Sequence, residues 1–559
     1  MAHRVFDLSR RVADEGDKVL SETFRFISGV LTPRVETILK IETAANPFWV
    51  EPSTLTVTER DLLQQLVEAL SDPEMRARFG DFLWLAARDW KSGEVAVDAY
   101  LESARRLRDP ENWTGAAPRY ERAASLAGSL GSKKPRYLAV IAEIEAYLTE
   151  LDATDPLFMS CRLMEILLAQ KEGDRAKYAA LSEKAAHAAE GRGNFYVAQF
   201  HWDLAAKWQS ALQNTDGVRA ARIGAAETLV KEAESKTEGA NASFLVAASV
   251  LQSAIAILQK QSGTQHRVKE LFLRLKEYET KGVTELKPIG GTVDLTDVAE
   301  LARQDVAGKA LPDAIACLAA MVRLPRREKV KADVLKAAKD YPLQHLFGES
   351  LLDADGAMVA GRGSIDPEDE GEDRSVLARM YEDVVRTFSF TALGQIDPGR
   401  RQIVDEHDIR ESDLSVIVQR SWFVPPGRDP LFSRGLLAGF EGDFVVALHL
   451  LTPQIEAALR WNLRRRGHVT TRLNRDGFQE EMDLNQLLAG DPAGDLLGDD
   501  LRFALQALLT SRFGFNLRNK LAHGLLDVGA MYSTVAEFFW AVVLMICVRA
   551  TVAAEHPST

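Results

Sequence analysis

The sequence predicts an all-α protein, and three observations carry that prediction. Apolar residues recur at three- and four-residue intervals along most of the chain, the period of an amphipathic helix. Strand-like alternation is almost absent. Short Gly, Asp, Asn or Pro breaks separate the periodic stretches, with helix-start signals such as Thr58 before Glu59 and Asp61, or Ser182 before Glu183. The 559 residues exceed one hydrophobic core, and roughly 150 residues per domain implies about three or four units.

Residues 1–285 read as a helical array that begins near residue 8. Its helices include Arg60–Leu70, Phe82–Leu107, Pro135–Leu151, Cys161–Lys171, Asp174–Glu190 and Ser243–Lys260. Two segments echo each other: Trp84-Leu-Ala-Ala-Arg-Asp-Trp90 and Trp202-Asp-Leu-Ala-Ala-Lys-Trp208. Stacked helix pairs use small Ala residues for close approach and large aromatics to fill the gaps. In this the array resembles tetratricopeptide-like repeats, although no steady period runs through it. An ordinary helical bundle is the alternative. In either form the region is a scaffold or docking surface for a protein partner.

Residues 286–430 form a middle helical segment that opens on the break Pro288–Gly291. Within it, residues 353–375 are rich in Gly and acids and poor in apolar side chains, which predicts a mobile loop. Gly361 and Gly363 have neither a following Lys-Ser/Thr nor a flanking strand, so a phosphate-cradling loop is not expected. The break Pro425–Phe432 then leads to residues 431–559. These read as a bundle of four helices, about Phe444–Arg466, Leu501–Ser511, Phe515–Leu526 and Val535–Ala553, with a polar Gly/Asp-rich excursion before Asp500.

The chain has 46% apolar and 27% charged residues, the composition of a globular protein. Its net charge of −13 argues against non-specific nucleic-acid binding. The sign is uneven, however. Residues 431–559 hold 12 Lys and Arg against 14 Asp and Glu, so any RNA contact is sought there. Cys161, Cys317 and Cys547 lie far apart in helical contexts, with neither a disulfide framework nor zinc spacing. The charged N-terminus lacks the apolar core of a signal peptide. The longest apolar run, Phe538–Val548, is short of the roughly 20 residues a membrane helix needs. A cytoplasmic protein without a membrane anchor is the expectation.

The chemistry-bearing stretch is Phe515-Asn-Leu-Arg-Asn-Lys-Leu-Ala-His-Gly-Leu525. Leu517, Leu521, Ala522 and Leu525 fall at core-facing intervals, which leaves Arg518, Asn519 and His523 on other faces. Asn519 and His523 are four apart, close enough to hydrogen-bond. RNA cleavage without a metal needs a base to take the ribose 2′-hydroxyl proton and a cation for the phosphorane charge. His523 suits the first role and Arg518, with its bidentate fork, the second. Asn519 would orient the imidazole or the substrate. The product would carry a 2′,3′-cyclic phosphate. An Arg also precedes His407 and His556 at similar spacing, but no Asn follows it and no Leu-rich amphipathic helix surrounds it.

Leu517-Arg-Asn-x-x-Ala-His-Gly524 resembles the signature of the HEPN superfamily, in which Arg and a polar residue precede His by four to six positions. Gly439-Phe-Glu-Gly-Asp-Phe-Val-Val-Ala-Leu-His449, with Pro453, Gln454, Ile455, Glu456 and Arg460, is similar to one branch, the domain of unknown function family 4209. The resemblance covers about residues 431–550. It implies a helical bundle that dimerises so that two motifs face each other across a shared groove. It also implies ribonuclease activity, often in defence or toxin settings, with no cofactor.

Arg460, Arg464, Arg465, Arg466, Arg472 and Arg475 fall within sixteen residues free of acids, beside Trp461 and His468. They are candidates for an RNA-binding rim; cations favoured at a helix C-terminus are the alternative. Glu456 and Arg460, one turn apart, read as an ion pair. His449, on an apolar helix, reads as a hydrogen-bonded core residue. His187, His266 and His345 each have a Glu about a turn away but no second His, and His201 has neither, so no metal is assigned. The competing function is a non-catalytic nucleotide- or protein-binding module. Nucleotidyl transfer lacks the carboxylate-metal site it would need.

Overall fold

The computed structural model describes Lys18–Leu31, residues 52–287, 290–345, 347–366 and 373–555, and a few positions before Lys18. The regular secondary structure of the described residues is almost wholly helical, as the periodicity predicts. Pro288 and Ile289, His556 and residues 367–372 of the expected acidic loop lie outside the described residues.

Two compact units divide the chain, Met1–Leu286 and Lys287–Thr559. In the first, eleven helices run from Val57–Ala69 to Gln265–Val283; most pack chiefly on their neighbours in sequence, while Met159–Gln170 packs most on Trp113–Gly131. The breaks are capped as their residues demand: Asp72, Asp89, Asp174, Asn194, Asn214 and Ser243 each accept a backbone N–H of the helix they start. The core comes in several separate clusters strung along the array, the mark of a stack stabilised interface by interface.

The tryptophan echo is not a structural repeat. Arg88, in the left-handed region at φ 54°, ends the helix Pro73–Ala87, and Asp89 caps Trp90–Arg106. Trp84 and Trp90 therefore sit on different helices, whereas Trp202 and Trp208 share Phe195–Ala211. The single helix expected over Phe82–Leu107 breaks at the same place. The paired motifs share composition, not geometry.

The second unit has one continuous core, from Ala302 to Ala550. The break at Pro425–Phe432 does not separate two cores, so the middle and C-terminal segments fold as one body. Its axis is the helix Thr534–Glu555, packed by Leu311–Met321, Arg374–Thr391, Glu411–Arg420, Asp429–Phe440 and Phe444–Arg465. Phe538 stacks on Phe388 at 4.3 Å between ring centroids. The Trp540 indole lies against Gly439, where a Cβ would come within 2.1 Å of its Nε1, and that N–H donates to the Leu436 carbonyl at 3.0 Å. By length and composition alone, Val528–Ala550 would be apolar enough to cross a membrane. Here 72% of its most apolar stretch is buried inside the protein, consistent with a helix apolar on all sides.

Two antiparallel hairpins were not expected. Glu349–Leu352, just before the segment read as loop, pairs with Met358–Arg362 inside it, and Gly361 lies in the second strand. Thr471–Leu473 pairs with Gln479–Glu481 within the polar excursion, which also contains the helices Leu484–Ala489 and Asp491–Leu497. Strands this short leave little alternation to read.

Candidate active site

The approach to the motif is fixed before the motif begins. The helix Asp499–Leu505 widens into a π turn, Gln506–Thr510. The Gln506 amide donates to the Leu488 carbonyl at 3.0 Å and accepts from the Tyr381 hydroxyl at 3.1 Å. A Cβ on Gly514 would lie 2.0 Å from the Ala507 carbonyl oxygen, so only glycine permits this close return. Phe515 N–H then donates to that same oxygen at 2.8 Å. Asn516 follows in the left-handed region, φ 54°, and starts the helix Leu517–Ala522.

This helix is shorter at both ends than Phe515–Leu526. Gly524, at φ 66°, closes it: Leu525 N–H reaches the Lys520 carbonyl at 2.8 Å and Gly524 N–H the Leu521 carbonyl at 3.2 Å. That pair of hydrogen bonds is a Schellman ending, with glycine where the left-handed residue is needed. Of the four residues expected in the core, Leu517 is fully buried and Leu521 half-buried. Ala522 and Leu525 are exposed, because the chain turns away before a second apolar face forms.

Arg518 and His523 stand near opposite ends of this short helix, about 7.5 Å apart in axial rise. Arg518, 28% exposed at its side chain, points its Nε at Glu456 Oε2, 3.4 Å away, and donates from a terminal nitrogen to Asn519 Oδ1 at 3.2 Å. Asn519 does not orient His523. Its amide N–H instead donates to Asn516 Oδ1 at 2.7 Å, bracing the left-handed start of the helix. The His523 ring is exposed and, among the described residues, has no side-chain hydrogen bond. Sequence reasoning missed Lys520. Its ammonium lies 5.6 Å from the Phe515 ring centroid, and burial pushes its pKa down, against a weaker upward pull from Asp353.

Glu456 holds two arginines at once, Arg518 and Arg460, the latter at 2.7 Å from Oε1. The one-turn spacing to Arg460 is legible in sequence; the meeting with Arg518, 62 residues on, is not. His449 is exposed, not core, and its Nδ1–H donates to the Val445 carbonyl at 2.7 Å.

The arginine run divides. Arg460 also donates to the Met482 carbonyl at 2.8 Å, and its Nε lies 3.1 Å from Glu481. Arg464 pairs with Glu481 at 2.6 Å and Arg472 with Glu480 at 3.3 Å. The acid-free stretch is thus folded back by the hairpin onto the acids just beyond it. Arg465 lies over the Trp461 ring at 4.6 Å. Arg465, Arg466 and Arg475 are exposed and, among the described residues, have no carboxylate partner. No group of three His, Cys, Asp or Glu side chains suited to a metal converges among the described residues.

Fold and site together define an all-α protein that carries an exposed imidazole and a partly exposed, carboxylate-engaged guanidinium on one short helix. A family model described as a domain of unknown function (DUF7380) matches residues 9–139, all within the first unit. No curated protein and no solved structure matches the chain.

Proposed function

We propose that this chain is a metal-independent endoribonuclease of HEPN type. His523 takes the 2′-hydroxyl proton or returns one to the departing 5′-oxygen. Arg518 stabilises the phosphorane, and the break leaves a 2′,3′-cyclic phosphate and a 5′-hydroxyl. The observation that carries this reading is the openness of the pair: an imidazole and a guanidinium on one helix, both reachable from solvent. The active form is a homodimer. Leu525, Val528 and Tyr532 beside the motif and Val446 on the adjoining helix Phe444–Arg465 are 73%, 65%, 52% and 42% exposed, an apolar face that a second copy would cover. The first unit serves as docking scaffold for a protein partner, in the cytoplasm and in a defence or toxin-like role.

One observation favours a second reading, a non-catalytic binding module: the Arg518 guanidinium is already engaged by Glu456 and Asn519. Incubation with RNA in EDTA separates the two. His523→Ala and Arg518→Ala are each expected to lower cleavage by at least about a thousandfold, within the range general acid–base and electrostatic catalysis contribute. With both side chains partly or wholly exposed, the melting temperature should move little. Wild-type RNA turnover that persists in His523→Ala removes His523 from the chemistry; no turnover by wild type under any trigger leaves the binding module.

A further inference from the structure

We propose that the hairpin Thr471–Leu473/Gln479–Glu481 is a stacking finger for single-stranded RNA, with Phe478 as the platform for a base. The proposal rests on the ribonuclease reading and names its substrate class. It starts from a turn that is held rigidly. The Asn474 side-chain oxygen accepts the N–H groups of Asp476 at 3.0 Å and Phe478 at 2.9 Å, and Asn474 N–H donates to the Phe478 carbonyl at 2.8 Å. That turn projects the Phe478 ring into solvent, 69% exposed, with Leu473 68% and Val469 75% exposed nearby. Single exposed apolar residues are ordinary; three on one small excursion mark a surface that meets something.

Charge selects the occupant. Glu480 and Glu481 are neutralised by Arg472, Arg464 and Arg460. Arg465, Arg466 and Arg475 remain as surplus cations, against Asp476 in the turn. Exposed aromatic and aliphatic surface interleaved with unpaired arginines fits a polyanion that also offers flat apolar faces. An unpaired strand does so, whereas a duplex hides its base faces in the stack. The finger is also tied to the motif. Arg460 donates to the Met482 carbonyl at its base and to Glu456, which in turn holds Arg518. Four residue steps along the extended chain, from Met482 to Phe478, put the backbone of Phe478 about 13 Å beyond that anchor. A strand stacked on Phe478 is thereby led toward the phosphate site.

The test is fluorescence anisotropy of a labelled twelve-nucleotide RNA, 2′-O-methylated throughout so that it has no nucleophile and binding is read apart from cleavage. Comparators are the same sequence as a duplex and inorganic polyphosphate. Wild type should prefer the single strand. Phe478→Ala should weaken single-strand binding about 5- to 150-fold, the range for loss of one stacked base, while Phe478→Trp retains it and polyphosphate binding is unchanged. Because the ring is exposed, the variant should melt like wild type. Unchanged single-strand binding by Phe478→Ala, equal affinity for the duplex, or an equal loss toward polyphosphate would each overturn the finger. So would a Phe478→Ala effect confined to self-association, which would make the hairpin a protein contact. If the RNA binds as described and is never cut in unmethylated form, the nuclease reading fails and the finger stands.

Discussion

The two units solve the same problem, burying helices, in opposite ways. In the first, ion pairs bridge helices close in the stack: Arg119 to Glu74, Arg122 to Asp81, Arg136 to Asp98 and Arg267 to Glu227, each pair 38 to 45 residues apart. Its apolar clusters are likewise local. In the second, one core gathers residues from Ala302 to Ala550 around a single apolar helix. Its buried polar centre joins Arg400 to Glu537, 137 residues away. The difference teaches where a precise site is affordable. Arg518 meets Glu456 across 62 residues, and only a body whose parts are mutually fixed holds such a pair in register.

The largest effect should come from breaking that fixed body at its centre. Arg400 is 10% exposed at its side chain; its Nε donates to Glu537 at 3.1 Å, and its terminal nitrogens to the Phe440 carbonyl at 2.9 Å and to Asp397 at 2.7 Å. Burial, with Asp397 nearby, pushes the Glu537 carboxyl up to about 7 against the pull of Arg400. Arg400→Ala removes this donor from Glu537 and the Phe440 carbonyl, while Asp397 keeps Arg401 at 2.9 Å, and should cost about 3–5 kcal/mol. Hydrogen exchange should then rise a hundredfold or more along the helix Thr534–Glu555, with Phe195–Ala211 unchanged. An equal rise in both helices would mean the two units do not differ in the way argued.

A pH experiment probes the stacked unit. His201 is 2% exposed, its Nδ1 has no hydrogen-bond partner, and burial pushes its pKa down to about 4. The folded form therefore resists protonation while the unfolded chain, with an ordinary value near 6.5, accepts it. The associated stability is fully present above about 6.5 and is lost as pH falls toward 4, amounting to about 3 kcal/mol there. Exchange protection of Phe195–Ala211 should fall over that window in wild type and stay flatter in His201→Gln. Identical pH profiles for the two would assign the acid lability elsewhere.

Much of this was legible in the chain, and what was not has a common cause. The helix Phe444–Arg465 is legible almost to the residue, because Asp443 caps it and its apolar spacing is regular. Arg518 and His523 stand out because a polar cluster interrupts a Leu-rich helix. Gly524 was legible as a residue but not as the left-handed closure that leaves His523 uncovered. Glu456 meeting Arg518, the fold-back of the arginines onto Glu480 and Glu481, and the absence of a boundary at residue 430 all depend on contacts between distant segments. Periodicity reports which face of an element is buried and is silent on what buries it. The Trp84 and Trp202 segments make the same point in reverse: near-identical patterns diverge because Arg88 ends one helix and nothing ends the other.

The smallest expected effect tests whether the long-range contact at the site matters for chemistry. In the ribonuclease reading Glu456 is a positioning residue: it touches no substrate but holds Arg518 at 3.4 Å and Arg460 at 2.7 Å. Glu456→Gln keeps the shape and an acceptor while removing the charge. Two guanidiniums then lose their counter-charge, which favours the anionic substrate in the ground state, while Arg518 is less firmly aimed at the phosphorane. The expected result is kcat down about tenfold, roughly 1.4 kcal/mol, with KM unchanged or lower. Glu456→Asp should recover part of kcat. A role confined to stability would instead lower the melting temperature and leave kcat and KM of the folded fraction alone. That outcome would make the Glu456–Arg518 contact part of the second unit's packing, and the fixed body would then owe nothing to the reaction.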